Sequence, residues 1–474
     1  MRYISSTLDE LPETLDETYE RILQGIPKKM RNDAHHIFQW IMVSSRPLRV
    51  EEVAEVFAIN FDEEMSGIPK FEPSWRDPNP ETAVLSACST LVAIIDNRSD
   101  GKVVQFSHFS VKEYLTSDRI TNAEHISDFH IHPKPAHILL AKACLSVLSQ
   151  LDYSMDQAEI QTFRMAEYAA RHWAEHARFE DVSSYIGDGV DLLFDKDKPH
   201  FAIWVWVYDM DGYYSYRPTT HPKEPDAVPL YYAALCGFRG LVERLLIAHP
   251  QDLNAEGGSW GAPLNAALGE GHLDIVLFLL DRGADGENTG RRNQTGVYIA
   301  SSRGYADVVR SLVDRGADLN TICQDRDRIG RRCQWTPLHV ASWNGIIQIL
   351  TILLEHGADP NALDDSGQTA LHLASSREGF TDVELLLEYG ADMGVQDEDG
   401  WTPLHGAAHH LNLQVVAVLL NRGADPHTQT YNDDTPIRMA YAPHPRVSKE
   451  GRAQIMRLLS ERTSKSMLSL RSCD

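Results

Sequence analysis

The pentapeptide Gly257-Gly258-Ser259-Trp260-Gly261 has the G-x-S-x-G spacing in which a serine on a tight turn becomes an acyl-transfer nucleophile. That chemistry needs a strand before the turn, a helix after it, and a histidine and an acid folded alongside. Five-residue patterns recur by chance, and this one falls in a loop between two copies of a repeat, so a structural turn is the favoured reading. Histidines form two further groups. His125, His130, His132 and His137 lie close together, and His172 and His176 share one helix face at i, i+4 spacing. Zinc takes such nitrogens, but neither group has neighbouring cysteines or a carboxylate set, so both read as loop and helix-face histidines. His339, His372 and His405 resemble a row of general bases only until their spacing is counted. No G-x-x-x-x-G-K-[ST] occurs, and the one Gly-Lys pair, Gly101-Lys102, lacks its upstream glycine. These residues imply no enzyme, no catalytic residue, no cofactor and no metal.

Composition narrows the partners. The 474 residues hold 68 acids against 44 bases, a formal charge of −24. Such a surface repels a phosphate backbone, so direct nucleic-acid binding is not expected. The acidic N-terminus is no signal peptide, and no apolar run of about 18 residues offers a membrane span. The cysteines, Cys88, Cys144, Cys236, Cys323, Cys333 and Cys473, include no C-x-x-C pair and read as reduced thiols of a cytoplasmic or nuclear protein. Cys323 and Cys333 flank one insertion and would pair only under oxidation.

The elements that carry these residues repeat. Thr336-Pro337-Leu338-His339 returns as Thr369-Ala370-Leu371-His372 and Thr402-Pro403-Leu404-His405 at a step of 33, and more weakly as Thr435-Pro436-Ile437-Arg438. Val228-Pro229-Leu230-Tyr231, Ala262-Pro263-Leu264-Asn265 and Thr295-Gly296-Val297-Tyr298 keep the frame upstream. Gly-Ala-Asp recurs in phase at Gly283, Gly316, Gly357, Gly390 and Gly423. The threonine suits a helix N-cap, the proline a first turn, and the glycine the left-handed residue that ends a second helix. The period and both marks resemble the ankyrin-repeat family, over seven copies. That resemblance implies a solenoid of stacked helix pairs that binds a protein on a concave surface, with the repeat histidine bonding between turns. Three departures stand out. About eight residues around Asp325–Arg332 are inserted and should enlarge one finger loop. Leu411 stands where a glycine usually follows the first helix. Ala442-Pro443-His444-Pro445 shortens the last copy into a cap.

The N-terminal half has another texture. Thr14-Leu15-Asp16-Glu17 forms a capping box before a helix reaching Gly25. Helices are expected from Ala34 to Ser44 and after Pro47, a loop from Asp62 to Pro80, and a hairpin of Leu91–Ile95 with Val103–Phe106 around a polar turn. Ser110 should cap the next helix. Helices followed by a hairpin suggest a winged-helix module. The runs Leu11–Leu23, Arg46-Pro47-Leu48 and Phe106–Leu115 resemble the segment after the NTPase core in fungal NACHT–ankyrin proteins, and Tyr168-Ala169-Ala170-Arg171-His172-Trp173 resembles their helical connector. In that wider family the histidine matching His108 approaches bound nucleotide; without a phosphate loop His108 reads as a packing residue. The resemblance makes the chain the back half of such a switch, either standing alone or as part of a longer protein.

The fold class expected is mainly α, an ankyrin-repeat solenoid preceded by a helical, winged-helix module with a small β-hairpin. Its domains are a winged-helix-like module over 1–120, a helical connector over 121–225, about seven repeats over 226–460 and a flexible tail over 461–474. The function expected is that of a non-enzymatic interaction adaptor with a regulatory role, a transcription coregulator or signalling scaffold. The alternative is the sensor half of a NACHT-type nucleotide-driven switch. Finger and first-helix positions supply the candidate contacts: Trp335, Trp343, Asn344, Asp365, Gln368, Arg377, Glu398, Trp401, His409 and His410. Exposed aromatics and arginine anchor interfaces, although Trp335 and Trp401 would equally suit packing against the next finger. The arginines of the insertion, Arg326, Arg328, Arg331 and Arg332, alternate with Asp325 and Asp327 and give only a weak nuclear-address or acidic-partner signal.

Overall fold

The computed structural model describes residues 14–470 apart from 66, 99, 122, 124, 209, 211–223, 291–292, 327–331, 378 and 442–448. It divides into two compact units, Met1–Pro229 and Leu230–Asp474. Among the described residues no helix is long and apolar enough to cross a membrane.

In the first unit Thr14 and Glu17 close a capping box at the start of α1 (Leu15–Gly25). Helix α2 (Arg31–Val43) buries Ala34, Ile37, Phe38 and Trp40. Strand β1 (Leu48–Arg49) and the short α3 (Val50–Val53) follow Pro47. The stretch from Asp62 to Pro80, expected as loop, contributes most of a hairpin, β2 (Ile59–Met65) against β3 (Ile68–Phe71). Asp62 and Glu63 obscure the pattern because they face water, while Ile59, Ile68 and Phe71 go inward. After α4 (Pro80–Cys88), β4 (Val92–Asn97) and β5 (Gly101–Phe106) form the expected wing, with Gly101 closing the turn at φ +75°. Strand β1 adds a third member, in the order β1-β5-β4. The cap of α5 (Phe109–Thr116) is His108, not Ser110: the imidazole accepts from the Ser110 amide at 3.2 Å.

Two carboxylates lie buried here, each held by arginine. Arg46 grips Glu52 through both terminal nitrogens at 2.9 and 2.6 Å and stacks over the Tyr168 ring. Glu55, fully buried, accepts two bonds from Arg76 at 3.2 and 2.9 Å, with Arg164 at 3.9 Å. Burial pushes the Glu55 carboxyl up, and Arg76 opposes that shift. The connector helices α6 (Pro133–Leu148), α7 (Ala166–Ala177) and α8 (Pro199–Val207) complete the unit, with Tyr168, Trp173 and Trp204 fully buried.

The second unit is two rows of helices. First helices run Pro229–Cys236, Pro263–Glu270, Gly296–Arg303, Pro337–Asn344, Ala370–Ser375, Pro403–His409 and Pro436–Met439. Second helices run Arg239–Ala248, Leu273–Asp281, Ala306–Asp314, Ile347–Glu355, Thr381–Glu388, Leu413–Arg422 and Lys449–Leu470. From the second repeat on, first helices pack on the next first helix, and the second helices form their own row. The rows differ as their sequences demand. Pro337 to Ser342 are all buried, whereas Ile349, Leu350 and Ile352–Leu354 are buried behind the exposed Ile347, Gln348 and Glu355. Each Gly of the five Gly-Ala-Asp marks sits at φ between +86° and +100°, ending its second helix. Leu411 keeps the turn that glycine would make: it adopts φ +57° and buries its side chain to 7% exposure, which offsets a conformational cost of about 1 kcal/mol. The eight-residue insertion forms a hairpin, β6 (Cys323–Arg326) against β7 (Arg332–Trp335), with residues 327–331, including Arg328 and Arg331, outside the described residues. Cys323 and Cys333 form no disulfide and lie on its buried face. The last first helix is short as expected, but the last second helix continues past 460 to Leu470, where a tail was expected.

Candidate partner-binding surface

The repeat histidine joins each finger to the next. Thr336 caps its helix with the imidazole of His339 beside it: Nδ1 lies 2.8 Å from the threonine hydroxyl and Nε2 3.1 Å from the Gln368 carbonyl of the following finger. His372 repeats this with Thr369 and the Trp401 carbonyl, and His405 with Thr402 and the Asp434 carbonyl. Where histidine is absent the bridge persists with other chemistry. The Tyr231 hydroxyl accepts from the Trp260 amide, Asn265 donates to the Asn288 carbonyl, and the Tyr298 hydroxyl donates to Asp325 at 2.7 Å. In the last repeat the position is Arg438, which turns back to Asp434 of its own finger at 2.8 Å. This bond stays within one finger, whereas the histidines reach the next.

Burial holds the imidazoles of His339, His372 and His405 below the usual histidine value of 6.5. His36 and His176 in the first unit are pushed down further, to about 4 and about 3, again by burial. These groups bind protons more readily in the unfolded chain. Stability is therefore full above about pH 6.5 and falls with pH through the lower folded values. Urea midpoints at about pH 8, 6.5 and 5 should fall in that order, modestly at the second and further at the third; a midpoint that rises on acidification contradicts this assignment.

The ten candidate contacts divide by how far the fold already uses them. Trp335 is 4% exposed, packs in the cluster of Tyr298, Cys323, Cys333, Val340 and Leu373, and donates from Nε1 to Asp364 of the next finger at 3.1 Å. It takes the packing role, not that of an exposed anchor. Arg377 donates to the Ser342 carbonyl at 3.0 Å and lies 3.7 Å from Asp382, and Asn344 donates to the Ser302 carbonyl at 3.2 Å, so both also tie repeats together. Gln368 donates to Asp397 at 3.2 Å, and Asp365 accepts the Gln334 amide at 3.0 Å. The remaining residues gather at two places. Trp343 lies half-buried with its ring 5.5 Å from that of Trp335. Trp401 is half-buried, edge-on to His409 at 5.2 Å, and His409 in turn meets the exposed His410 at 5.1 Å; Glu398 is exposed on the same finger as Trp401.

The sequence's other chemical motifs find structural uses. Gly257 pairs with Gly261 across a finger turn, and the segment before it is a 3-10 turn, Pro250–Asn254, where a nucleophile elbow requires a strand. The glycines serve close approach instead: a side chain at Gly290 would meet the Ser259 carbonyl oxygen, and one at Gly261 the backbone of Thr289. Ser259 should accordingly show no labelling by a fluorophosphonate probe on the folded protein, and stoichiometric labelling lost in Ser259→Ala would overturn this. The His176 Nδ1 lies 3.0 Å from that of His137, and its Nε2 lies 2.8 Å from the Tyr168 hydroxyl. No group of three or more His, Cys, Asp or Glu that would hold a metal occurs among the described residues. His108 is an exposed helix cap with its ring tilted against that of Phe109, not a packing residue.

The family described as ankyrin repeats matches residues 264–364 and 358–430. That of the GPI inositol-deacylase winged helix domain matches residues 19–132. The chain is 31% identical over 294 residues to azaphilone pigments biosynthesis cluster protein L of Monascus ruber, covering 59% of this chain and 61% of that protein. It is 30% identical over 170 residues to ankyrin repeat protein nuc-2 of Neurospora crassa, covering 30% of this chain and 16% of that one. It is 35% identical over 150 residues to the mouse ankyrin repeat and SOCS box protein 16, covering 32% of this chain and 31% of that one. The chain thus spans less than two thirds of each of these relatives. Among solved structures, the ankyrin repeat domain of Bcl-3 matches with 28% identity and a TM-score of 0.41, over 50% of this chain and all of that one. The repeats and the wing together identify the chain as a winged-helix domain of the GPI inositol-deacylase type followed by ankyrin repeats.

Proposed function

We propose that the protein is a non-enzymatic regulatory adaptor that binds another protein on the concave side of its repeats, through the first-helix and finger positions around Trp343, Glu398, Trp401, His409 and His410. The observation that carries this is the continuous ladder of inter-finger bonds, which holds aromatic and polar side chains on a rigid frame and so spares a partner the cost of ordering them. Repeats of this family are interaction modules, and the favoured partner is a transcription factor or signalling protein in the cytoplasm or nucleus. The relative named for a pigment biosynthesis cluster fits a regulator of this kind. Comparing partner retention by the unaltered chain and by Trp401→Ala with His410→Ala tests the surface; equal retention by both would count against it. A second reading, the sensor half of a nucleotide-driven switch, is favoured by the winged-helix domain that precedes the repeats along the chain. It predicts that repeat binding changes when an NTPase partner exchanges nucleotide, and adaptor binding indifferent to nucleotide would reject it.

A further inference from the structure

The finger segments 358–369, 391–402 and 424–435 of the last three repeat boundaries hold ten acids and neither lysine nor arginine. Seven of these acids are used by the fold, Asp365 by the Gln334 amide and Asp434 by Arg438. Asp359, Asp364, Asp392, Asp397 and Asp425 each accept a backbone amide two residues on, closing their own turns. Glu398, Asp399 and Asp433 instead stand exposed at the tips.

An aromatic stands among them. Tyr431 is 71% exposed, which is unusual for so large a ring. It is also held in place. Its amide donates to the Asp399 carbonyl at 3.2 Å, and the Glu398 amide donates to the Ser366 carbonyl at 3.0 Å, so the three tips are joined through backbone. Gly400, at φ +79°, makes room for it: a side chain there would lie 2.7 Å from the Tyr431 nitrogen and 3.1 Å from its ring. One ring edge thus rests on a glycine backbone while most of the side chain meets solvent. An outward aromatic on finger tips that also carry exposed carboxylates suits a planar cation, which can stack on a ring and bond to acids.

We propose that the finger tips carrying Glu398, Asp399, Tyr431 and Asp433 dock an arginine-bearing segment of a partner protein, with Tyr431 as the stacking platform. This rests on the adaptor reading and names the chemistry of its partner. Charge complementarity selects the occupant: the three finger segments hold ten acids and neither lysine nor arginine, so an acidic or purely apolar segment would find no complementary charge there.

The test uses the full chain and a fluorescein-labelled Arg-Gly peptide, with its Lys-Gly and Glu-Gly counterparts, read by anisotropy. The Arg peptide should bind more tightly than the Lys peptide, and the Glu peptide should not bind. Glu398→Gln with Asp399→Asn and Asp433→Asn should weaken the Arg peptide about tenfold or more. Tyr431→Ala should weaken it several-fold and erase the preference for Arg over Lys, while Tyr431→Phe retains both. An equal charge removal on the second helices, Asp314→Asn with Glu355→Gln and Glu388→Gln, should change affinity by less than about twofold, since those charges are screened from the tips. Equal weakening by both triple variants, or none by either, would overturn the proposal. Partner binding lost in Trp401→Ala with His410→Ala but kept in the tip variants would refute this inference and leave the adaptor reading standing.

Discussion

Replacing His372 with alanine should lower the stability of the repeat unit by about 2–4 kcal/mol. The imidazole is 4% exposed and accounts for contacts to the Thr369 amide at 3.1 Å, the Thr369 hydroxyl at 2.9 Å and the Trp401 carbonyl at 3.1 Å. Alanine leaves these buried polar atoms without a partner and leaves a void the size of the ring, so the desolvation and cavity costs add. Phenylalanine fills the volume but restores no bond and should recover only part of the loss. The site also lies between repeats, and in a stack each repeat is stabilised mainly by its neighbours. The urea transition followed by circular dichroism should therefore broaden as well as shift, because the sixth and seventh repeats lose their hold on the fifth. His427→Ala, on an exposed side chain of a later finger, should cost less than about 0.5 kcal/mol. A loss below about 1 kcal/mol for His372→Ala would mean the ladder does not bind the stack together.

The second large effect lies in the winged-helix unit. Arg76→Met should cost about 3–5 kcal/mol, since it strands the carboxylate of Glu55, which is fully buried. Arg164, at 3.9 Å, is too far to replace the two short bonds that Arg76 supplies. The double variant Arg76→Met with Glu55→Met should recover most of the loss, because two apolar side chains of similar size need no pairing. The pair also makes the loss depend on pH. In the single variant Glu55 will favour its protonated form, so acidification should narrow the gap to the unaltered protein. Thermal melts of the four proteins of this cycle at two pH values check both statements, and equal losses in the single and double variants would show that packing of Arg76 over Phe71 and Phe163 matters more than the charge.

The repeats were legible in the sequence because each copy restates the same local physics. Threonine caps, proline starts a turn and glycine ends a helix, and a period of 33 makes each signal reinforce the next. The wing was legible for a similar reason, since Asn97 to Gly101 is polar between two apolar strands. What the sequence hid depends on contacts distant along the chain. The hairpin of Ile59–Met65 with Ile68–Phe71 looks like an acidic loop until the inward side of each strand is known. Trp335 and Arg377 have the side chains of interface anchors, but the next and the preceding repeat, respectively, claim them. Nothing in its own finger marks Tyr431. Only the glycine of the preceding finger shows that it is held in place.

The most direct measurement of the central claim is quantitative capture by the full chain from a native extract, in parallel with Trp401→Ala/His410→Ala and with His372→Phe. The unaltered chain should retain a small set of proteins. The surface variant, which keeps the ladder, should reduce that set about tenfold or more. The ladder variant should reduce it in proportion to the repeat unit it unfolds. Retention of the same proteins in the same amounts by all three would contradict the claim that this chain works through the face its ankyrin repeats hold in place.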